Sequence, residues 1–369
     1  MLRGHAARFR RKSGRGPAQI ILYPNPPFGY NEDSPLAMRI LIGILTVVFA
    51  ISAAPATPPV PKPGIRTPGI QIPFSSLKPE ATLQTPDRPD WIFFSTAVFV
   101  PAKDHLDKID VKTNKIADPV AGLNKPCGGM VSDFGSFWVP ACGDGTLARI
   151  DPKTFKVTAT IATGTADASG NAIRGSLAAS ADSIWLLTDA KTTLSRIDPD
   201  QNTVVGEMRV PSDCGSLTFG ETALWLACPN ENKVLRINPT TNLVEKVIDV
   251  AAHPQALAVG GASIWVLCEK DGKVDRIDPK TNKVSKSIGL DVPGAKGAIA
   301  FGEGAVWVTM TGFPLTRIDP QSETVAQQFF GAGGGGSILT SPGAIWLSNP
   351  DAGTLMRIDP KRVLATLAE

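Results

Sequence analysis

The chain has 369 residues, of which 43% are apolar and 19% charged, a composition that supports a folded core and excludes bulk disorder. Its formal charge is +3, and residues 1–37 alone carry six basic against two acidic side chains, so the rest of the chain is close to neutral. A near-neutral body is a poor match for a phosphate backbone, and we expect no nucleic-acid partner.

A short apolar segment follows this basic leader. Residues 40–53 read ILIGILTVVFAISA, come directly after Arg39 and are followed by small residues. As a helix they would span about 21 Å, less than the ~30 Å hydrocarbon core of a bilayer. We therefore predict a signal peptide over residues 38–54 and no transmembrane segment in the mature protein. Residues 1–37 are then either an over-extended start, with Met38 as the true first residue, or a long basic region before the signal.

The next segment, residues 55–90, contains ten prolines. Proline fixes φ and cannot donate a backbone hydrogen bond, so we predict an extended, Pro-rich linker here. Together with the signal peptide, the linker predicts an exported protein, located in the periplasm or at the cell surface.

From residue 91 to 369 the sequence repeats one pattern. A basic residue, Ile and an acid or amide, usually followed by Pro, recur seven times at intervals of 40 to 47 residues, as in Arg276-Ile277-Asp278-Pro279. About eleven residues upstream of this motif lies an aromatic residue, Phe99 in the first repeat and Trp in the others. A period near 40 residues with short strands is typical of β-propellers.

One repeat, residues 254–290, illustrates the predicted blade. Gly260-Gly261 and Asp271-Gly272 separate runs of β-favouring residues, and Asp278-Pro279 begins a third turn. Four antiparallel strands in each of seven repeats predict an all-β, seven-bladed β-propeller. We assign residues 362–367 to the last strand of blade seven, and Ile70-Gln71-Ile72 as a candidate additional strand.

The repeats resemble a known family of proteins. Segments such as SIWVL…GKVDRIDPKTNKV look like the YVTN-type propellers of exported bacterial proteins and are more distantly similar to the virginiamycin B (streptogramin) lyases. The shared residues are those of the blade framework, so the resemblance implies the fold more strongly than any activity.

The five cysteines fit the predicted hairpins. Cys127 with Cys142, and Cys214 with Cys228, flank equivalent turns, and antiparallel pairing would bring each pair face to face. We predict two disulfides, as expected in an exported protein. Cys268 has Pro254 where its partner would stand, and we predict that it is a free thiol.

Candidate ligand-binding residues are those that differ from blade to blade. They lie in the loops that precede each first strand or follow each second strand, which together form the mouth of a propeller. The residues predicted to bind a ligand there are Lys125, Arg174, Asp189, Asp213, Asn230 and Lys296. They predict a binding or interaction module for a small molecule or a protein partner; a set of solvated rim charges is the alternative.

His253 and Glu269 are the candidate catalytic residues. His253 is the one histidine at the predicted mouth and is suited to act as a general base near neutral pH. The lyase family uses two histidines, a glutamate and Mg²⁺ to open a macrocyclic lactone by elimination. The resemblance implies that His253 matches one histidine and Glu269 the glutamate, whereas Asp213 stands where the second histidine is expected. A metal-dependent lyase is therefore the alternative function, and Mg²⁺ is expected only under that alternative; the sequence itself contains no metal-binding motif.

Overall fold

A computed structural model of the chain describes residues 63–164, 175–189 and 192–366. Residues 1–37, the predicted signal peptide and residues 55–62 of the predicted linker lie outside them. In the described part of the chain, consecutive strands joined by tight turns form seven antiparallel sheets, the blades of a propeller. The prediction of a seven-bladed, all-β propeller is confirmed. No helix in these described ranges is both long enough and apolar enough to cross a membrane.

The first strand of each blade lies innermost and contacts the first strands of neighbouring blades. These strands are β3 (Phe93–Phe94), β7 (Val131–Asp133), β11 (Leu177–Ala179), β15 (Leu217–Gly220), β19 (Pro254–Val259), β23 (Gly297–Gly302) and β27 (Ile338–Ser341). They surround the central channel.

The second strands pair antiparallel with the first and are almost completely buried. They are β4 (Val98–Pro101), β8 (Ser136–Ala141), β12 (Ile184–Thr188), β16 (Ala223–Cys228), β20 (Ile264–Cys268), β24 (Ala305–Met310) and β28 (Ala344–Asn349). The six repeated tryptophans lie on these strands and are at most 1% exposed, so each fills the core between sheets.

The third strands carry the repeated basic residue. They are β5 (His105–Asp110), β9 (Thr146–Ile150), β13 (Thr193–Asp198), β17 (Lys233–Asn238), β21 (Lys273–Asp278), β25 (Phe313–Asp319) and β29 (Thr354–Ile358). The outer strands of blades one to six are β6 (Lys115–Ala121), β10 (Val157–Ala162), β14 (Thr203–Arg209), β18 (Leu243–Asp249), β22 (Lys283–Gly289) and β26 (Thr324–Phe330). Short 3-10 turns occupy Phe74–Ser76 and Pro229–Glu231.

The repeated Asp-Pro turn is stabilised by the aspartate itself. Asp151 Oδ1 accepts the backbone N–H groups of Lys153 (2.9 Å) and Thr154 (2.7 Å). These amides favour the charged carboxylate and hold the pKa of Asp151 below its ordinary value. The pKa values of the equivalent Asp110 and Asp278 are lowered by the same kind of bond.

The repeated arginine joins neighbouring blades. The Arg149 guanidinium lies 5.0 Å from the Trp138 ring centroid and donates to the Pro199 carbonyl (2.7 Å) and Asn202 Oδ1 (3.1 Å) in the turn of the next blade. Asn202 has φ 54°, a left-handed conformation that asparagine tolerates well. The same two contacts recur for Arg236 with Pro279 and Asn282, and for Arg357 with Val111 and Asn114.

Ring closure differs from the sequence prediction. Residues 360–365 form helix α1 (Pro360–Ala365), so the assignment of 362–367 to the outer strand of blade seven is wrong. Asp359 accepts the Lys361 N–H at 2.8 Å and Pro360 takes the first helical position, both of which favour a helix start. The outer strand of blade seven is instead β2 (Ala81–Gln84), antiparallel to β29.

The predicted linker therefore contains two strands of the ordered body. Besides β2, strand β1 (Gln71–Pro73) overlaps the candidate strand at residues 70–72 and adds in parallel to β26, the outer edge of blade six. The Gln328 side chain in β26 accepts the Ile65 N–H at 2.8 Å and donates to the Leu290 carbonyl at 2.9 Å. These bonds hold the segment around Ile65, which precedes β1, against blades five and six.

Candidate functional site

One end of the channel is organised by a backbone hydrogen bond that recurs between blades. The residue after the second strand donates to the carbonyl of a residue in the loop that precedes the first strand: Cys142 to Lys125 (3.1 Å), Glu269 to His253 (3.0 Å) and Thr311 to Lys296 (2.9 Å). Side chains that differ between blades are thus carried on one repeated scaffold. This end is the mouth predicted from the sequence.

Two disulfides reinforce the same end, as predicted. Cys127–Cys142 and Cys214–Cys228 each link the start of a first strand to the end of a second strand, in blades two and four. Cys268 is a buried free thiol paired in register with Pro254, also as predicted. Burial, with the nearby Asp275 carboxylate, raises the pKa of this thiol, so it is a poor nucleophile.

A cavity of about 450 Å³ opens within the mouth. Its lining comes from blades three to seven and includes three of the predicted site residues, His253, Glu269 and Lys296. The volume lies in the range of small-molecule sites in proteins. The structure therefore brings together both candidate catalytic residues and one candidate ligand-binding residue.

Glu269 is the buried charged group of this cavity. Its side chain is 8% exposed, and Oε1 accepts the Gly297 N–H at 2.8 Å. Its own carbonyl accepts the N–H groups of Gly272 (3.1 Å) and Gly294 (2.8 Å). These bonds fix the carboxylate between blades five and six, where the Gly297 amide helps to stabilise its charge.

His253 is held in a conformation that most residues avoid. Its φ is 62°, its backbone N–H donates to Asn232 Oδ1 at 2.9 Å, and its carbonyl accepts from Glu269. Lys125 (φ 50°) and Asp213 (φ 62°) share this conformation in the corresponding loops, so it belongs to the repeated loop that precedes the first strand. The half-buried imidazole and the exposed Lys296 line the cavity with Glu269, so acidic and basic groups share one wall.

Four other predicted ligand-binding residues that the structure describes do not line this cavity: Lys125, Asp189, Asp213 and Asn230. Asp213 and Asn230 are exposed and bonded to each other, Asn230 Nδ2 donating to Asp213 Oδ2 at 2.9 Å. Asp189 accepts from the Thr193 hydroxyl at 3.0 Å, and Lys125 is exposed on blade two. Arg174 lies outside the described residues.

Small polar residues of the lining were missed by sequence reasoning. Ser216, Gln255 and Ser337 line the cavity near the start of the first strands. Ser216 Oγ also accepts the Leu257 N–H at 3.0 Å, which joins blades four and five. A serine directly precedes the first strand in blades three, four and seven, and this recurrence was the sequence signal for these residues. A residue that recurs between blades is usually assigned to the blade framework, so the signal did not indicate a site.

The cavity does not provide a typical set of metal ligands. In the ranges that the structure describes, no three His, Cys, Asp or Glu side chains come together as a metal would require. Mg²⁺ prefers several oxygen ligands. In this cavity the Glu269 carboxylate already accepts a hydrogen bond from the Gly297 N–H, and Lys296 adds a positive charge that would repel the ion. The donor set therefore does not fit Mg²⁺.

Comparison with known proteins agrees with the fold. No family profile and no curated protein sequence matches the chain. A streptogramin B lyase structure is similar at 18% identity and a TM-score of 0.61, covering 75% of this chain and 95% of the lyase chain. BamB from Moraxella catarrhalis is similar at 12% identity and a TM-score of 0.56, covering 77% of this chain and 99% of BamB.

A chain of a mitotic checkpoint complex gives a TM-score of 0.64 at 13% identity, covering 78% of this chain and 96% of that one. Proteins with different roles thus share the architecture at identities too low to transfer an activity. Fold and comparisons together define the chain as a β-propeller.

Proposed function

We propose that the protein is an exported binding module whose mouth recognises a small ligand. The observation that carries this proposal is the convergence of His253, Glu269 and Lys296 on one cavity of about 450 Å³. Residues that recur from blade to blade, such as the tryptophans, are buried framework. His253 and Glu269 each occur in one blade, and the position of Lys296 holds a lysine again in blade two, at Lys125. Side chains unique to one blade are what a specific site in a repeated scaffold needs.

The chemistry of the lining supports a polar contact to the ligand. Lys296 contributes a positive charge, His253 an imidazole and Ser216 a hydroxyl, while Leu257 and Ile299 provide apolar surface. Small-molecule sites commonly combine an apolar surface with a few placed polar groups.

Export is supported by the two disulfides, because such bonds persist in oxidising compartments. The likeness to BamB keeps a protein partner at the mouth as a second outcome of the test.

The experiment is a thermal-shift screen of the full chain against small metabolites, divalent ions and macrocyclic lactones. A ligand that binds the folded state raises the melting temperature by mass action. We expect the shift to disappear in His253→Ala and in Lys296→Ala, and to persist in Lys283→Ala, whose side chain is exposed on the outer strand β22. A shift that both mouth variants retain would place the ligand elsewhere and reject the proposal. No shift with any compound would favour a protein partner instead.

A lyase is the alternative function, because His253 and Glu269 line the same cavity. Under this alternative His253 acts as the general base of an elimination, and no step depends on Mg²⁺, whose ligand set is not met. Incubation with a macrocyclic lactone tests it: elimination opens the ring without changing the mass, and His253→Ala must abolish the reaction. Lactone that stays cyclic with wild-type protein rejects this alternative.

A further inference from the structure

The channel changes character along its length. In every blade, the residue just before the one that pairs with the repeated Trp or Phe99 is aliphatic or methionine, from Ile92 in blade one to Ile338 in blade seven. These seven side chains are 3–9% exposed. We call this set of seven residues the apolar ring. Five of them line cavities of the channel beside the polar mouth: Leu177, Leu217, Leu257, Ile299 and Ile338.

A second cavity, of about 280 Å³, lies on the far side of this ring. It is lined by the first strands of blades one to four, and most of the described side chains of its lining are of apolar type, including Phe93, Val131 and Phe219. Ser132 and Thr218 are its polar lining residues. The mouth site does not use this cavity.

The two cavities adjoin on blades three and four. Ser216 lines the mouth cavity, and the next residue, Leu217, lines the second cavity. In blade three, Gly175 lines the mouth cavity and Leu177 the second cavity. From Ser216 to Phe219 a strand advances about 10 Å, at ~3.3 Å per residue. Over this distance the lining changes from Lys, His, Glu and Ser to Leu, Val and Phe.

We infer that the ligand is amphipathic, with an anionic head at the mouth and an apolar chain that passes the ring into the second cavity. This inference rests on the proposed function and adds the chemical class of the ligand. Lys296 supplies the charge for the head. The carboxylate of Glu269 is already stabilised by the Gly297 amide, so it does not require a cationic head. Apolar side chains left in contact with a channel are stabilised when an apolar chain covers them.

The test is calorimetric titration of the full chain with butanoate, octanoate and decanoate. We expect affinity to rise with chain length, by up to about four-fold for each methylene group buried. Lys296→Ala should weaken decanoate binding about ten-fold, since it removes a charged hydrogen-bond donor. Ser132→Trp fills the second cavity and should remove the gain from the longer chain. Ser285→Trp, at an exposed position of β22, is its control and should bind as wild type.

The outcomes separate this inference from the proposed function. Equal, Lys296-dependent binding of all three carboxylates keeps the mouth site and overturns the amphipathic ligand. Chain-length dependence that Ser132→Trp does not change also overturns it, as does tighter binding of decyltrimethylammonium than of decanoate. If no carboxylate binds while the thermal-shift screen finds a mouth ligand, the inference fails and the proposed function stands.

Discussion

Arg149 is the sharpest test of how the blades are held together. Its guanidinium donates to Ser136 Oγ (2.8 Å) in its own blade and to the Pro199 carbonyl (2.7 Å) and Asn202 Oδ1 (3.1 Å) in the next. Arg149→Met keeps an unbranched apolar stem but removes the guanidinium, and with it all three bonds and the contact with Trp138. A hydrogen bond from a charged donor contributes about 1.5–3 kcal/mol, and water replaces part of it at this half-buried site. We expect the free energy of unfolding to fall by about 2–4 kcal/mol.

The chain contains a matched control in blade six. Arg317 occupies the equivalent position, but helix α1 replaces the turn that it would reach in blade seven. The contacts of its guanidinium are long, 3.5 Å to Gln327 Oε1 and 4.0 Å to Asp319 Oδ2. Arg317→Met should therefore cost below about 1 kcal/mol.

The assay is equilibrium unfolding in urea, followed by fluorescence of the buried tryptophans after reversibility has been established. Asn202→Gly keeps the left-handed turn and removes the acceptor, so it completes a double-mutant cycle with Arg149→Met. We expect a coupling free energy of at least about 1 kcal/mol. Equal losses for Arg149→Met and Arg317→Met, or a coupling near zero, would refute the inter-blade role of this arginine.

Three further outcomes are expected. Protein that is unfolded without reduction and then alkylated should carry one label, at Cys268, by mass spectrometry; five labels would contradict both disulfides. Partial burial of His105 opposes its protonation, but the carboxylates of Asp104 and Asp107 outweigh this and raise its pKa. The stabilisation that protonated His105 contributes should be complete below about pH 6.5 and should be lost as the pH rises through its raised pKa in the folded state. His105→Asn should lack this step when the free energy of unfolding is plotted against pH. Leu83→Ala, in the strand that completes blade seven, should lower unfolding free energy by about 2–3 kcal/mol; an unchanged urea midpoint would show that β2 contributes little.

Repetition made the blades predictable, because each repeat gives the same strands, turns and buried aromatic residue. Ring closure was not, because it uses two segments outside the repeat. The Asp359-Pro360 pair resembles the other Asp-Pro turns but begins a helix, and nothing in the sequence of residues 81–84 identifies them as the partner of β29. Pairing between residues far apart in sequence depends on the closed ring and not on a local pattern.

The positions of the candidate site residues were predictable to the level of blade and loop. His253 and Glu269 follow from their positions around one hairpin, and Lys296 from the next blade. Nothing in the sequence shows toward which blades the cavity extends, so Asp213 and Asn230 were predicted to bind a ligand just as Lys296 was. Their mutual hydrogen bond, which sets them apart, exists only once the loops are in place. The apolar channel ring is likewise hidden, because its residues read as ordinary core.

The placement of β2 fixes the order in which the ring can be completed. The contact between Gln84 and Ala352 joins residues 268 positions apart, because blades one to six lie between β2 and β29 in the chain. Strand β2 must therefore remain unpaired until blade seven has formed, and until then β29 has no partner on its outer edge. Contacts of such long sequence separation form slowly, and unpaired edges favour aggregation. Closure of the ring accordingly depends on the pairing of β2 with β29, and deletion of β29 would leave the ring open.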